Sequence, residues 1–218
     1  MSARCPGRRV ALVAFGGAML LGSAGCGSLI PIRLPEASEA GARSGDVLIV
    51  GKIDIIPPIA PGEQKIRAGS FGLDPADIKG KLQQRALLYL SDAPSTQREG
   101  SGDYINPRLG DWFAYWVPRG KRHITEAVVV MDFQTVITGR RQAHTQSSEL
   151  LLPAPVSIDI QAQDSAVYVG SWRVWRDEFN SVTRIQANQE LREAQAAVKR
   201  LVGRDVPIRT AIPKGLAR

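Results

Sequence analysis

The feature that most constrains this chain is a two-residue hydrophobic rhythm, broken repeatedly by Pro and Gly. Within Asp46–Ile56, Val47, Ile49, Ile53 and Ile55 fall on one side of an extended strand, with Lys52 and Asp54 on the other. Pro57-Pro58 ends the run, because proline has no amide to give to a sheet ladder. Further apolar runs follow at Arg85–Ser91, Asp111–Val117, Lys121–Phe133, Val156–Ile160 and Ala166–Arg176, with a shorter one at Val182–Gln186. Pro118-Arg119-Gly120 separates two of them and predicts a hairpin, since Pro presets φ and Gly tolerates the tight reversal. Residues 72–84 read as a short helical turn. Residues 92–107 are polar and read as a long loop.

This spacing predicts a mainly β protein, a β-sandwich or barrel. One helix is expected near the C-terminus. Leu191, Ala194, Val198 and Leu201 form a single apolar stripe. Asn188 is the expected N-cap, Glu190 and Glu193 sit early, Lys199 and Arg200 late, and Gly203 closes the helix. A narrow, Ala-rich stripe of this kind packs on a sheet rather than inserting into lipid.

The N-terminus has a different grammar. Arg4, Arg8 and Arg9 precede the apolar run Val10–Gly22, which is shorter than the roughly 20 residues a membrane-spanning helix needs. Small residues follow, Ser23, Ala24 and Gly25, and then Cys26. A basic region, an apolar core and a small-residue cleavage zone predict an export signal over residues 1–25. Leu20-Leu21-Gly22-Ser23-Ala24-Gly25-Cys26 resembles the lipobox of bacterial lipoproteins. The resemblance implies cleavage before Cys26, a diacylglyceryl thioether on its sulfur and an acylated amine, palmitate among the acyl chains. Several chains anchor stably where a single one is marginal. Ser23 stands where that family prefers Leu, so an ordinary cleaved signal stays open as the alternative. Gly27 replaces the Asp that retains lipoproteins at the inner membrane, which implies the outer membrane and a periplasmic or surface-facing domain.

The expected organisation is therefore a signal over 1–25, a flexible tether over 26–45 rich in Gly, Pro, Ser, Ala and Glu, a β-sandwich over 46–186, and a C-terminal helix and tail over 187–218. Residues 112–124 resemble the strand–Pro-x-Gly–strand element of transthyretin-like and carboxypeptidase-regulatory-like domains. That resemblance implies an immunoglobulin-like or transthyretin-like sandwich with a binding or spacer role.

Charge needs the same partition. The whole chain carries 28 basic and 21 acidic side chains, a net of +7. The leader removes three Arg and no acid, leaving 25 against 21, or +4. The case for nucleic acid weakens accordingly, and no recognition module is visible. Cys5 leaves with the leader and Cys26 would be blocked, so a disulfide or a Cys nucleophile in the mature domain is excluded under this reading.

No catalytic motif emerges: there is no G-x-S-x-G elbow, H-E-x-x-H, C-x-x-C or helix-opening G-x-G-x-x-G. No cofactor or metal is expected, because His123 and His144 have no sequence-local partner spaced for zinc. Both histidines are expected at the surface, His144 in a polar loop beside Arg140 and Arg141. Two features are candidates for binding. Trp112 and Trp116 share one strand face, where aromatics either stack on a glycan or protein partner or fill a core. Arg119, Lys121 and Arg122 crowd one turn and can meet an anionic polymer or lipid head groups. The sequence thus predicts a lipid-anchored envelope protein that binds, assembles or supports, rather than an enzyme. An envelope hydrolase acting on cell-wall glycan, or a subunit of a secretion or efflux assembly, is the alternative.

Overall fold

The computed structural model describes residues 32–67, 75–94, 103–138, 142–213 and 216. In chain order the elements are β1 (Asp46–Ile56), β2 (Lys65–Arg67), α1 (Pro75–Leu82), β3 (Leu87–Ser91), β4 (Asp103–Ile105), β5 (Trp112–Pro118), β6 (His123–Thr138), β7 (Gln142–Leu151), β8 (Val156–Ser157), β9 (Ala166–Arg176), β10 (Val182–Asn188), α2 (Leu191–Val202) and β11 (Ile208–Thr210). They form a β-sandwich with a C-terminal helix on one outer face.

The first sheet is centred on β1 and β9, which run parallel. β5 pairs antiparallel with the far edge of β1. β10 and β11 divide the other edge of β9, β10 along Ser171–Arg176 and β11 along Ala166–Tyr168. The second sheet is organised by the long strand β6. β3 and β2 lie on one side of it, β8 and β7 on the other, and β4 extends the sheet beyond β3.

The period-two pattern explains the layering. Val47, Ile49, Ile53 and Ile55 of β1 meet Phe113, Tyr115 and Val117 of β5, Val167, Val169, Trp172 and Val174 of β9, and Leu88, Leu90, Ile124, Ala127 and Val129 of the opposite sheet. Each such large side chain contributes roughly 1.5–3 kcal/mol on burial. The other face of the first sheet is apolar too. Leu48, Val50, Ala114, Trp116, Ala166 and Tyr168 pack under Ala194 and Val198 of α2. β1, β5 and β9 are therefore covered on both sides where α2 lies, which is why their outward positions are apolar there, whereas Lys52, Asp54 and Arg173 occupy the uncovered part of the same face.

Within the first sheet, Gly51 is closely flanked by the two strands that pair with β1. A Cβ there would lie 2.6 Å from Phe113 Cζ, 3.0 Å from Val169 Cγ2 and 3.1 Å from the Gly170 carbonyl. The β1–β9 register slips by one residue at this point, and Gly170 takes φ +102°, a left-handed value open to glycine.

Several sequence expectations need correction. Asp111–Val117 and Lys121–Phe133 do not pair as a hairpin; β5 and β6 belong to different sheets, and Pro118-Arg119-Gly120 carries the chain across the core. The reason is that β5 buries both faces between the opposite sheet and α2, so it completes the first sheet beside β1. The polar stretch 92–107 contributes β4. The backbone of His144 lies in β7, opposite Val136, rather than in a loop; its side chain is outside the described set. Asn188 ends β10, and α2 starts after Glu190 without a side-chain cap bond. Gly203 does close α2 in the left-handed conformation, its N–H donating to the Lys199 carbonyl. The tail beyond α2 is part of the sandwich, through β11 and buried Leu216.

Candidate functional site

The most organised polar site forms where the stretch read as a tether joins the domain. Backbone bonds fix it to one edge of each sheet. The Tyr104 amide donates to Ile32 O at 3.0 Å and the Leu34 amide to Tyr104 O at 2.8 Å, on β4. The Trp116 amide donates to Pro35 O at 3.1 Å and the Ala37 amide to Ala114 O at 2.9 Å, on β5. Of the expected tether 26–45, residues 32–37 are thus structural. Unpaired sheet edges satisfy their backbone groups with a passing strand, and Leu34 buries its side chain in the shared core.

Side chains clamp the same segment. Glu36 accepts from Tyr115 OH at 2.7 Å, from Arg33 at 3.2 Å and from Arg85 at 3.4 Å. Arg33 also reaches both Glu39 oxygens at 2.9–3.0 Å and the Asn106 amide oxygen at 2.6 Å. Arg85 donates to the Asn106 carbonyl at 2.7 Å. Burial, reinforced by the Glu36 carboxylate, pushes the Tyr115 phenol well above its ordinary range, so it stays a donor. Burial alone would raise the Glu39 carboxyl, but bonds from the Glu36 amide and from Arg33 outweigh it and hold it low. A hollow of about 260 Å³ borders the clamp, lined by Glu36, Arg85, Asp111, Trp112, Tyr115 and Leu201. Glu36 acts as acceptor in every contact, which suits a clasp better than proton transfer.

The segment runs antiparallel to β5 and parallel to β4, so Ile32 lies toward Pro118 and Asp103. Lys121 bonds Asp103 at 3.0 Å across this same end. The Arg43–Gly45 turn is here too, Gly45 O accepting from the Arg119 amide at 3.2 Å. The chain therefore enters the sandwich at one pole, beside the β5–β6 turn.

The predicted binding residues separate in space. Trp116 is only 5% exposed beneath α2, and Trp112 is half-buried with its ring 6.0 Å from Tyr168. Trp116 Nε1 has no partner among the described residues. Arg119 donates to Gln161 O at 3.0 Å and Asp164 O at 2.6 Å. Lys121 is committed to Asp103, and Arg122 is exposed. Only Trp116 and Arg119 come together, on a hollow of about 370 Å³ that Asp46, Arg204 and Asp205 also line. Ser23, Ala24, Gly25, Cys26, Arg140 and Arg141 lie outside the described residues. His123 Nδ1 is 2.8 Å from Ser157 Oγ, and no carboxylate bonds that ring among the described residues. No group of metal-ligating side chains forms among them either.

The opposite pole carries a feature with little sequence signal. The Arg176 side chain is 6% exposed and binds the Glu63 carboxylate, Asn180 Oδ1 and the carbonyls of Pro57 and Pro58. These bonds hold the Glu63 carboxyl below its ordinary range. Beyond Arg176, Asp177 Oδ1 accepts from the amides of Phe179 at 2.9 Å and Ser181 at 2.8 Å. This braced β9–β10 turn presents Phe179, 80% exposed.

Fold and site together define a β-sandwich whose N-terminal segment is clasped across both sheets. No family model matches the chain, and no curated protein or solved structure is significantly similar to it.

Proposed function

We propose that this protein is a lipid-anchored cell-envelope module, held by Cys26 at the outer membrane, that binds or assembles with envelope partners rather than catalysing a reaction. The observation that carries the reading is the clasp. Residues 32–37, which begin six positions after Cys26, are built into both sheet edges, so a lipid on Cys26 would be joined to the domain by few residues. Phe179 supports the binding role: a large apolar side chain on a braced turn is a rigid anchor for a partner's pocket. No described helix is long and apolar enough to cross a membrane, so attachment in this reading rests on the lipid.

The hydrolase alternative draws no specific support. It asks for exposed tryptophans beside free carboxylates, whereas Trp116 lies under α2 and Glu36 is held by two arginines and a phenol. The test is labelling with a palmitate analogue combined with fractionation. Wild-type protein should carry label and sediment with outer membranes, while Cys26→Ala and globomycin treatment should each block maturation. Unchanged processing and membrane association in both would overturn the proposal.

A further inference from the structure

The direction of the clasped segment says more than that the domain is attached. Six residue steps separate Cys26 from Ile32. At about 3.3–3.6 Å per residue, that leash spans at most about 20 Å. Ile32 enters at the pole formed by the β5–β6 turn, the Arg43–Gly45 turn and the Ile158–Ser165 loop, where Ile158 N donates to Arg122 O at 2.7 Å. We infer that this pole faces the lipid surface and that Arg43, Arg122 and Arg204 contact anionic phospholipid head groups. The inference rests on Cys26 being the lipidated residue.

Charge on the pole fits the assignment. Most of its carboxylates are already paired with cations, while Asp92, beside Ser91 at the same end, is exposed. Asp103 pairs with Lys121 at 3.0 Å, Asp164 and Asp159 pair with Arg209 at 2.6 and 3.2 Å, and Asp205 pairs with Lys199 at 3.0 Å. Asp46 accepts the Arg43 amide at 3.1 Å. Arg119 is spent on two backbone carbonyls. Arg43, Arg122 and Arg204 are exposed and make no ion pair among the described residues. Ile32 is 54% exposed beside them, which adds an apolar side chain at the point where the leash begins. Surface cations act on anionic lipid within a Debye length of about 8 Å, a distance the leash allows. β9 runs away from this pole through 11 residues, so Phe179 lies about 35 Å farther along the strand axis.

The mature chain offers a clean probe, because a lipidated Cys26 leaves no other thiol. Arg43→Cys, Arg122→Cys and Phe179→Cys each place one reactive thiol on an exposed side chain. The full lipidated proteins are reconstituted into vesicles of phosphatidylethanolamine with phosphatidylglycerol, and separately into phosphatidylcholine. Palmitate labelling first establishes that Cys26 carries lipid; its absence would refute the anchoring proposal itself. With lipid in place, a membrane-impermeant maleimide should react at least threefold more slowly at positions 43 and 122 than at 179 in the anionic vesicles. That protection should shrink in phosphatidylcholine. Equal rates at all three positions on lipidated protein, or equal protection in both lipids, would overturn the inference while leaving the anchor intact.

Discussion

Removing the Glu36 carboxylate should cost far more than a surface ion pair. Tyr115 is wholly buried, and its hydroxyl gives its one proton to Glu36 at 2.7 Å; its next acceptor, Asn106 Oδ1, is 3.4 Å away. Glu36→Ala leaves that hydroxyl only the long contact to Asn106 Oδ1, which costs about 1–3 kcal/mol in a buried site. The contacts to Arg33 and Arg85, at 3.2 and 3.4 Å on a carboxylate 30% exposed, add about 1 kcal/mol together after solvent screening. The expected loss is therefore about 2–4 kcal/mol, or roughly 4–16 °C in Tm for a domain of this size. Tyr115→Phe should cost about 1 kcal/mol, since it removes the donor and leaves Glu36 with its arginines. The double variant Glu36→Ala/Tyr115→Phe lacks that hydroxyl, so its loss should fall short of the summed losses by about 1–2 kcal/mol. Urea unfolding of the leaderless protein measures these terms, and hydrogen exchange of the Leu34 and Ala37 amides reports on the clasp directly. A loss under about 0.5 kcal/mol for Glu36→Ala with those amides still protected would refute the reasoning. So would strict additivity in the cycle.

The other predictions probe the two poles and the core. Hydrogen bonds from Arg209 hold the Asp164 carboxyl below its ordinary range, so its stabilisation is complete above the unfolded value of about 3.9 and is lost as pH falls through the lower folded value. Asp164→Asn should flatten that acid limb in melts between pH 6 and about 2; an unchanged slope would discount the pair. Gly51→Ala should destabilise by about 1–3 kcal/mol, because its Cβ would press on Phe113 and on the Gly170 carbonyl, and Phe113→Leu should recover part of the loss in a second urea series. Phe179→Ser should leave stability within about 0.5 kcal/mol, whereas Asp177→Ala should cost about 1 kcal/mol by freeing the Phe179 and Ser181 amides. A pull-down from solubilised envelopes that loses a partner with Phe179→Ser would tie the braced turn to binding.

Much of the fold is legible in the sequence because strands announce themselves by period two. Val47, Ile49, Ile53 and Ile55 face the core as the pattern requires, and the α2 stripe packs on the first sheet. Pairing is less legible, because alternation reports which face is buried and not which neighbour covers it. Pro118-Arg119-Gly120 suits a hairpin and a layer crossing equally, and β5, apolar on both faces, finds its place only with α2 over Ala114 and Trp116. The candidate site is harder still. Arg119, Lys121 and Arg122 crowd one turn of the sequence, but they part in space because successive side chains around a turn diverge. The Phe179 turn has one readable cue, Asp177 two residues before an apolar residue among polar ones, an arrangement that favours an Asx turn.

The clasp escapes a sequence reading for a physical reason that also explains its form. Gly, Pro, Ser, Ala and Glu make a stretch look like a linker, since composition measures intrinsic order and not the hydrogen bonds a neighbour offers. Here the neighbours are β4 and β5, the outer strands of two different sheets, each with a row of backbone groups facing outward. Such edges recruit other chains unless something covers them. A segment passing between them satisfies both at once, and it need not be apolar to do so. Arg33 and Glu36 then fasten it with charge, where a core residue would use area. Covering the edges and fixing the point where the chain enters are thus one structural act. A polar strand is enough for both, which is why hydropathy alone passes over it.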